Sequence, residues 1–168
     1  MKIYLASPLG FAACTKGFLE ELKSELRAHG HAVVDPWEEG EELFEEYAAR
    51  TKDATPDTKA RELHRLNHRI GEGNRVSIEA ADAVVAVLDG PDVDSGTASE
   101  IGYAYARGKR IVGYRGDIRL TGENAATVVN LQVQYWIEDS GRGRGRIVKA
   151  VPGVIEALES VRPRAPPM

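Results

Sequence analysis

A single cysteine, Cys14, stands in a chain of 168 residues. One thiol excludes an internal disulfide framework and a cysteine-clustered zinc site. No apolar run approaches the roughly 18 residues that a membrane span needs. The opening stretch, Met1-Lys2-Ile3-Tyr4-Leu5-Ala6-Ser7-Pro8, has too short an apolar block for a signal peptide and reads as a strand. A cytoplasmic protein that touches no membrane is therefore expected. Basic residues are not in excess: the net charge is −4 and the pI about 5.6. That balance argues against binding a nucleic-acid polymer, but leaves a nucleoside or nucleotide open as a small ligand. Internal repeats are absent too. What is present is ordinary for a soluble globular protein, with 42% hydrophobic and 29% charged residues. The length predicts one domain, over residues 1–161, followed by a flexible Pro/Arg-rich tail over 162–168.

Short apolar blocks alternate with stretches of helical period. Ile3 to Ala6, Ala32 to Val34, Asp82 to Leu88 and Arg110 to Tyr114 read as strands. The third is continuously apolar, as expected where helices cover both faces of a parallel sheet. A fifth strand is expected within Val128 to Ile137. Helices are predicted over 12–29, 38–50, 59–80 (broken or kinked near Gly71 and Gly73), 97–107 and 147–161. This alternation predicts an α/β fold with a doubly wound, mainly parallel five-stranded sheet, flavodoxin-like or Rossmann-like. Ligands then bind at the carboxyl ends of the strands, within 6–10, 35–37, 89–97 and 114–117.

The most informative segment runs from Leu88 to Tyr103. Asp89, Asp92, Asp94, Gly90 and Gly96 lie between a buried strand and a helix that Ser95 or Thr97 can cap. Glu100 falls in or just after the first helical turn, where the helix dipole favours an ionised carboxylate. Such a carboxylate suits nucleophilic attack on an electron-poor centre, for example the anomeric carbon of a nucleoside. The spacing fits equally a capping box between Thr97 and Glu100. The aspartates suit either a magnesium site or simple turn chemistry.

Ile3-Tyr4-Leu5-Ala6-Ser7-Pro8, Ala81-Asp82-Ala83-Val84-Val85-Ala86, Asp94-Ser95-Gly96-Thr97 leading to Glu100-Ile101-Gly102-Tyr103-Ala104, and Val129-Asn130-Leu131-Gln132 occur in that order. Together they resemble the nucleoside 2-deoxyribosyltransferase family. The resemblance implies transfer of 2-deoxyribose between nucleobases by double displacement, with no cofactor and no metal. It implies that Glu100 is the nucleophile and forms a glycosyl–enzyme intermediate, and that Tyr4 orients it. It also implies that Asp94, beside Gly96, holds the sugar 5′-hydroxyl. Asn130 matches an asparagine donated across a subunit interface, which implies a homodimer or larger assembly with shared sites. Asn74 stands where the family usually has an aspartate that helps protonate the base. An amide cannot do so; either poor leaving groups are cleaved slowly or another acid, such as Asp89, serves. The Pro/Arg tail runs past the family's usual C-terminus, which argues against a C-terminal carboxylate in the site.

Other residues carry competing readings. His64 and His68 have a metal-ligating spacing, but a solvated helix face accounts for them better. Cys14 reads as a small buried or half-buried side chain. Arg142 to Arg146 reads as a solvated loop, and Glu38 to Glu46 as a solvated helix face. Arg119 can pair with a substrate phosphate or with Glu123. Trp37 can stack on a base or cover the core edge. Two rival functions remain: a nucleoside or nucleoside 5′-monophosphate N-glycosidase, and a non-catalytic nucleotide-binding module. Relatives acting on monophosphates tend to carry serine where Asp94 stands, because a carboxylate repels phosphate.

Overall fold

The computed structural model describes residues 1–160; the expected domain end at 161 and the tail over 162–168 lie outside them. Five strands, β1 (Lys2–Ala6), β2 (Ala32–Val34), β3 (Ala83–Val87), β4 (Arg110–Tyr114) and β5 (Arg146–Val148), form one sheet in the order β2-β1-β3-β4-β5. Every pairing is parallel, with Tyr4 opposite Val34 on one side and Val84 on the other. This is the flavodoxin-like order, and its direction reverses between β1 and β3. The helices are α1 (Lys16–Ala28), α2 (Pro36–Thr51), α3 (Pro56–Ala80), α4 (Ser95–Ala106), α5 (Leu131–Gly143) and α6 (Val151–Glu159).

Alternation along the strands feeds two cores. Ile3, Leu5, Val85 and Val112 face α1 and α6, packing on Leu22, Leu26, Val154 and Leu158. Tyr4, Ala6, Val84, Ala86 and Ile111 belong to the opposite core with Ile101 and Ile137. Because both faces are covered, β3 is buried at every residue.

Four sequence expectations are corrected. The fifth strand is not within 128–137, since Val133 and Ile137 form the buried face of a helix and Val129, four residues earlier, is buried just before its cap. Asn130 caps that helix, and the strand comes later, from Arg146. The last helix accordingly starts at Val151, not at 147, with proline in its first turn. The Arg142–Arg146 run is not a free loop: Gly145 is buried, and a β-carbon there would collide with the carbonyl of Ile137. The glycines at 71 and 73 do not break α3, which is continuous for 25 residues. Among the described residues no helix is long and apolar enough to cross a membrane.

Candidate active site

β1 carries Tyr4 into the core against α4, where it is fully buried. Its hydroxyl donates to Glu100 Oε1 at 2.6 Å. Asn74, on the last third of α3, donates its amide to the same oxygen at 3.4 Å. Neither Ser95 nor Thr97 caps α4. Asp94 does, with Oδ2 accepting the Thr97 amide at 3.0 Å. Thr97 therefore lies inside the helix, and Glu100 turns to Tyr4 rather than closing a capping box.

Glu100 also differs electrostatically from the sequence expectation. It lies six residues into α4, beyond the turn where the helix terminus acts. Burial raises its pKa from 4.5 to about 7, against the Tyr4 hydrogen bond, and the nearby Asp94 charge adds to the rise. Tyr4 is pushed well above the usual phenol range by burial, then by the Glu100 charge and their hydrogen bond, so it stays a donor. Both hydrogen bonds to Glu100 end on Oε1; Oε2 receives none among the described residues.

Glu100, Asn74, Asp94, Gly96 and Thr97 line one cleft of about 240 Å³, with Ser7, Phe11, Trp37, Phe44 and Ile70 also in its lining. Gly96 matters by its lack of a side chain: a β-carbon would sit 3.0 Å from Asp94 Oδ2. Trp37 donates Nε1–H to the Ser7 carbonyl at 2.8 Å and meets Phe11 edge-on, ring centres 4.4 Å apart. Trp37 both packs against the edge of the core and lines the cleft. Phe11, Phe44 and Ile70 were not legible as site residues. Phe11 follows the end of β1, where a ligand edge was expected, but the other two come from α2 and α3 with no motif to mark them.

Two expected site residues lie elsewhere within one chain. Asp89 does not line the cleft; its Oδ1 accepts the Asp117 amide at 2.9 Å and so braces the loop after β4. Asn130 is outside it too. Its Oδ1 accepts the Gln132 and Val133 amides, and its Nδ2 donates to Glu123 at 2.7 Å. Arg119 pairs with Asp117, not with Glu123, its Nε lying 2.9 Å from Oδ1. Cys14 is exposed rather than half-buried. Asp92 accepts the Val93 amide, a turn contact. The His64 and His68 rings touch, with centres 4.6 Å apart, but among the described residues no group of three or more His, Cys, Asp or Glu is arranged to hold a metal. A separate cleft of about 330 Å³ lies past β4 and β5, lined among others by Arg115, Asp117, Ile118, Leu120, Val128 and Lys149.

An open parallel sheet with a half-buried carboxylate and a buried phenol beside its switch point defines an α/β protein with a candidate reactive site. The chain belongs to the nucleoside 2-deoxyribosyltransferase family, whose model matches residues 3–132. It is 30% identical over 138 residues to an uncharacterized protein of Schizosaccharomyces pombe, a match that spans 80% of this chain and 57% of the yeast protein. Among solved structures it is similar to a conserved protein from Enterococcus faecalis V583, with a TM-score of 0.66 and 28% identity over 95% of this chain and 97% of that one. It is also similar to a 2-deoxyribosyltransferase from Bacillus psychrosaccharolyticus, with a TM-score of 0.54 and 25% identity over 80% of this chain and 81% of the other. The CMP N-glycosidase of Clostridium botulinum shares the fold at 19% identity and a TM-score of 0.52, over 95% of this chain and all (100%) of that one.

Proposed function

We propose that this protein transfers 2-deoxyribose between nucleobases through a covalent ester on Glu100. The observation that carries the reading is the 2.6 Å bond from the buried Tyr4 hydroxyl to Glu100, which lines a cleft that aromatic rings also line. The Glu100 carboxylate attacks C1′ of a bound nucleoside. The new C1′–O bond forms as the C1′–N bond breaks, and the base leaves with that electron pair. The nitrogen of a second base then attacks C1′ and the carboxylate is released. Two inversions retain the configuration. Tyr4 aims the nucleophile, and Asp94 accepts a hydrogen bond from the sugar 5′-hydroxyl. A 5′-phosphate would face the Asp94 charge, so a free nucleoside is the expected substrate.

Asn74 supports a further point. Its amide helps hold Glu100 Oε1 and carries no acidic proton. Asp89 is engaged with the Asp117 backbone. The departing base is therefore protonated by water, which favours bases that leave readily. In this reading Asn130 acts in a neighbouring copy's site, in a homo-oligomer. Mixing inactive Glu100→Ala chains with Asn130→Ala chains restores part of the activity if that is so; a fully active monomer in ultracentrifugation contradicts it.

The reaction is tested by incubating a deoxynucleoside with a different free base and separating the products by chromatography. A new nucleoside supports transfer. Free sugar alone supports the N-glycosidase reading, in which water is the acceptor. No reaction is what a non-catalytic binding module would give.

A further inference from the structure

Lys23, on α1, is one of the most buried side chains in the protein, at 2% exposure. It donates to Asp35 Oδ2 at 2.9 Å and to Glu38 Oε1 at 2.8 Å, and Glu20 Oε1 lies 2.5 Å away. Burial opposes its charge, but these three carboxylates more than compensate and hold its pKa above that of an ordinary lysine. Asp35 is as buried as Lys23 and divides its two oxygens. Oδ2 takes Lys23, and Oδ1 accepts the Trp37 amide at 3.0 Å at the start of α2. Trp37 is held at its ring as well, by Nε1–H on the Ser7 carbonyl and by Phe11. The ring also packs so closely on Gly10 that a β-carbon there would collide with it.

Lys23 does not line the Glu100 cleft. It lines a separate cavity of about 320 Å³ that shares Trp37, Gly40 and Phe44 with that cleft. A buried ion pair is seldom worth more than a well-packed apolar pair of the same volume, so its effect on stability is a weak account of it. Its geometry supplies a stronger one. We propose that Lys23 is a positioning residue: through Asp35 it fixes the first turn of α2, and so sets the Trp37 ring against which the substrate's base packs. The last clause rests on the proposed reaction; the placing of Trp37 does not.

Trp37 and Trp136 are the two tryptophans, so Trp136→Phe leaves Trp37 as the sole emitter. In that background Lys23→Met is expected to shift Trp37 emission and to increase its quenching by acrylamide, with far-UV circular dichroism unchanged. For turnover of a 2′-deoxynucleoside, KM should rise roughly tenfold with kcat within about twofold, the signature of lost binding without lost chemistry. Gly10→Ala pushes the ring from behind and leaves the ion pair in place, so it should give the same pattern. The double variant should be little worse than the worse single one, because both act through one wall. A folded Lys23→Met protein whose Trp37 emission and quenching match the parent overturns the proposal. If Lys23→Met fails to fold, Asp35→Ala takes its place: it removes the acceptor for the Trp37 amide and leaves Lys23 with Glu20 and Glu38. Unchanged Trp37 fluorescence in that variant is equally contrary. The fluorescence decides the positioning role even where the parent shows no turnover, a result that would strike the proposed reaction instead.

Discussion

Two clefts open at the carboxyl edge of the same sheet, and the larger is not where the chemistry gathers. The cleft past β4 and β5 has about 330 Å³, against about 240 Å³ for the one at β1 and α4. In the larger, Asp117 is paired and Arg115 is engaged with backbone. Asp117 is forked by Arg119, and the two terminal nitrogens of Arg115 donate to the carbonyls of Leu88, Gly90 and Arg119. In the smaller, a half-buried carboxylate has two donors on one oxygen and no basic side chain among the lining residues. The result is a pKa near neutrality, whereas the Arg119 pairing drives Asp117 far below the usual carboxylate range. On the proposed reaction, the site is marked by a carboxylate with no cationic partner rather than by volume.

That contrast can be broken most sharply at Glu100. Glu100→Ala should fold normally by circular dichroism and lower turnover to below about one ten-thousandth, because no neighbour replaces a covalent carboxylate. Tyr4→Phe removes one hydrogen bond to a charged group, about 1.5–3 kcal/mol, and should slow the reaction about 10- to 100-fold. It should also move the acid limb of the pH–rate profile upward, since that bond holds the Glu100 pKa down. Asn74→Asp would set a second carboxylate beside Glu100. The pair should titrate together, and one shared proton becomes available to the departing base. Steady-state rates for nucleosides with poorly leaving bases should rise about tenfold and decline again as pH increases and that proton is lost.

The linkage to stability needs no substrate. The Glu100 pKa is raised on folding, so the folded protein binds more protons than the unfolded chain between pH 4.5 and about 7. Burying the charge therefore costs stability that appears as pH rises through that window. Glu100→Gln should be more stable than the parent at pH 8, by at most about 3–4 kcal/mol, with the difference vanishing below pH 4.5, as read by urea unfolding. The smallest effect belongs to the other cleft. Arg119→Ala breaks only an exposed pair and should leave turnover within about twofold. A large loss there would mean that the second cleft takes part in the reaction.

Much of this was legible in the sequence because the signals are local. The continuously apolar Ala83–Val87 announces a buried parallel strand, and Gly-Thr-x-x-Glu after an acidic turn places Glu100 on a helix. The fifth strand was missed because three residues beginning with arginine carry no periodic signal, while Val129, Val133 and Ile137 do. The sign of the Glu100 shift was missed for a different reason. It depends on burial by segments far apart in the chain, β1 and α3, and not on position along α4. Asp94 as the cap, Phe44 and Ile70 in the cleft, and the Lys23–Asp35 hold on Trp37 likewise arise only when distant segments meet.

The central claim is that Glu100 becomes covalently attached to the sugar. Its most direct test is acid quenching of the protein with a 2′-deoxynucleoside and no acceptor base, followed by mass spectrometry of the intact chain and its peptides. The account predicts a gain of one deoxyribosyl unit, mapped to the peptide that contains Glu100, absent from Glu100→Ala and lost when a free base is added before quenching. Turnover without such an adduct under conditions that hold the intermediate, or an adduct mapped to another residue, would contradict it.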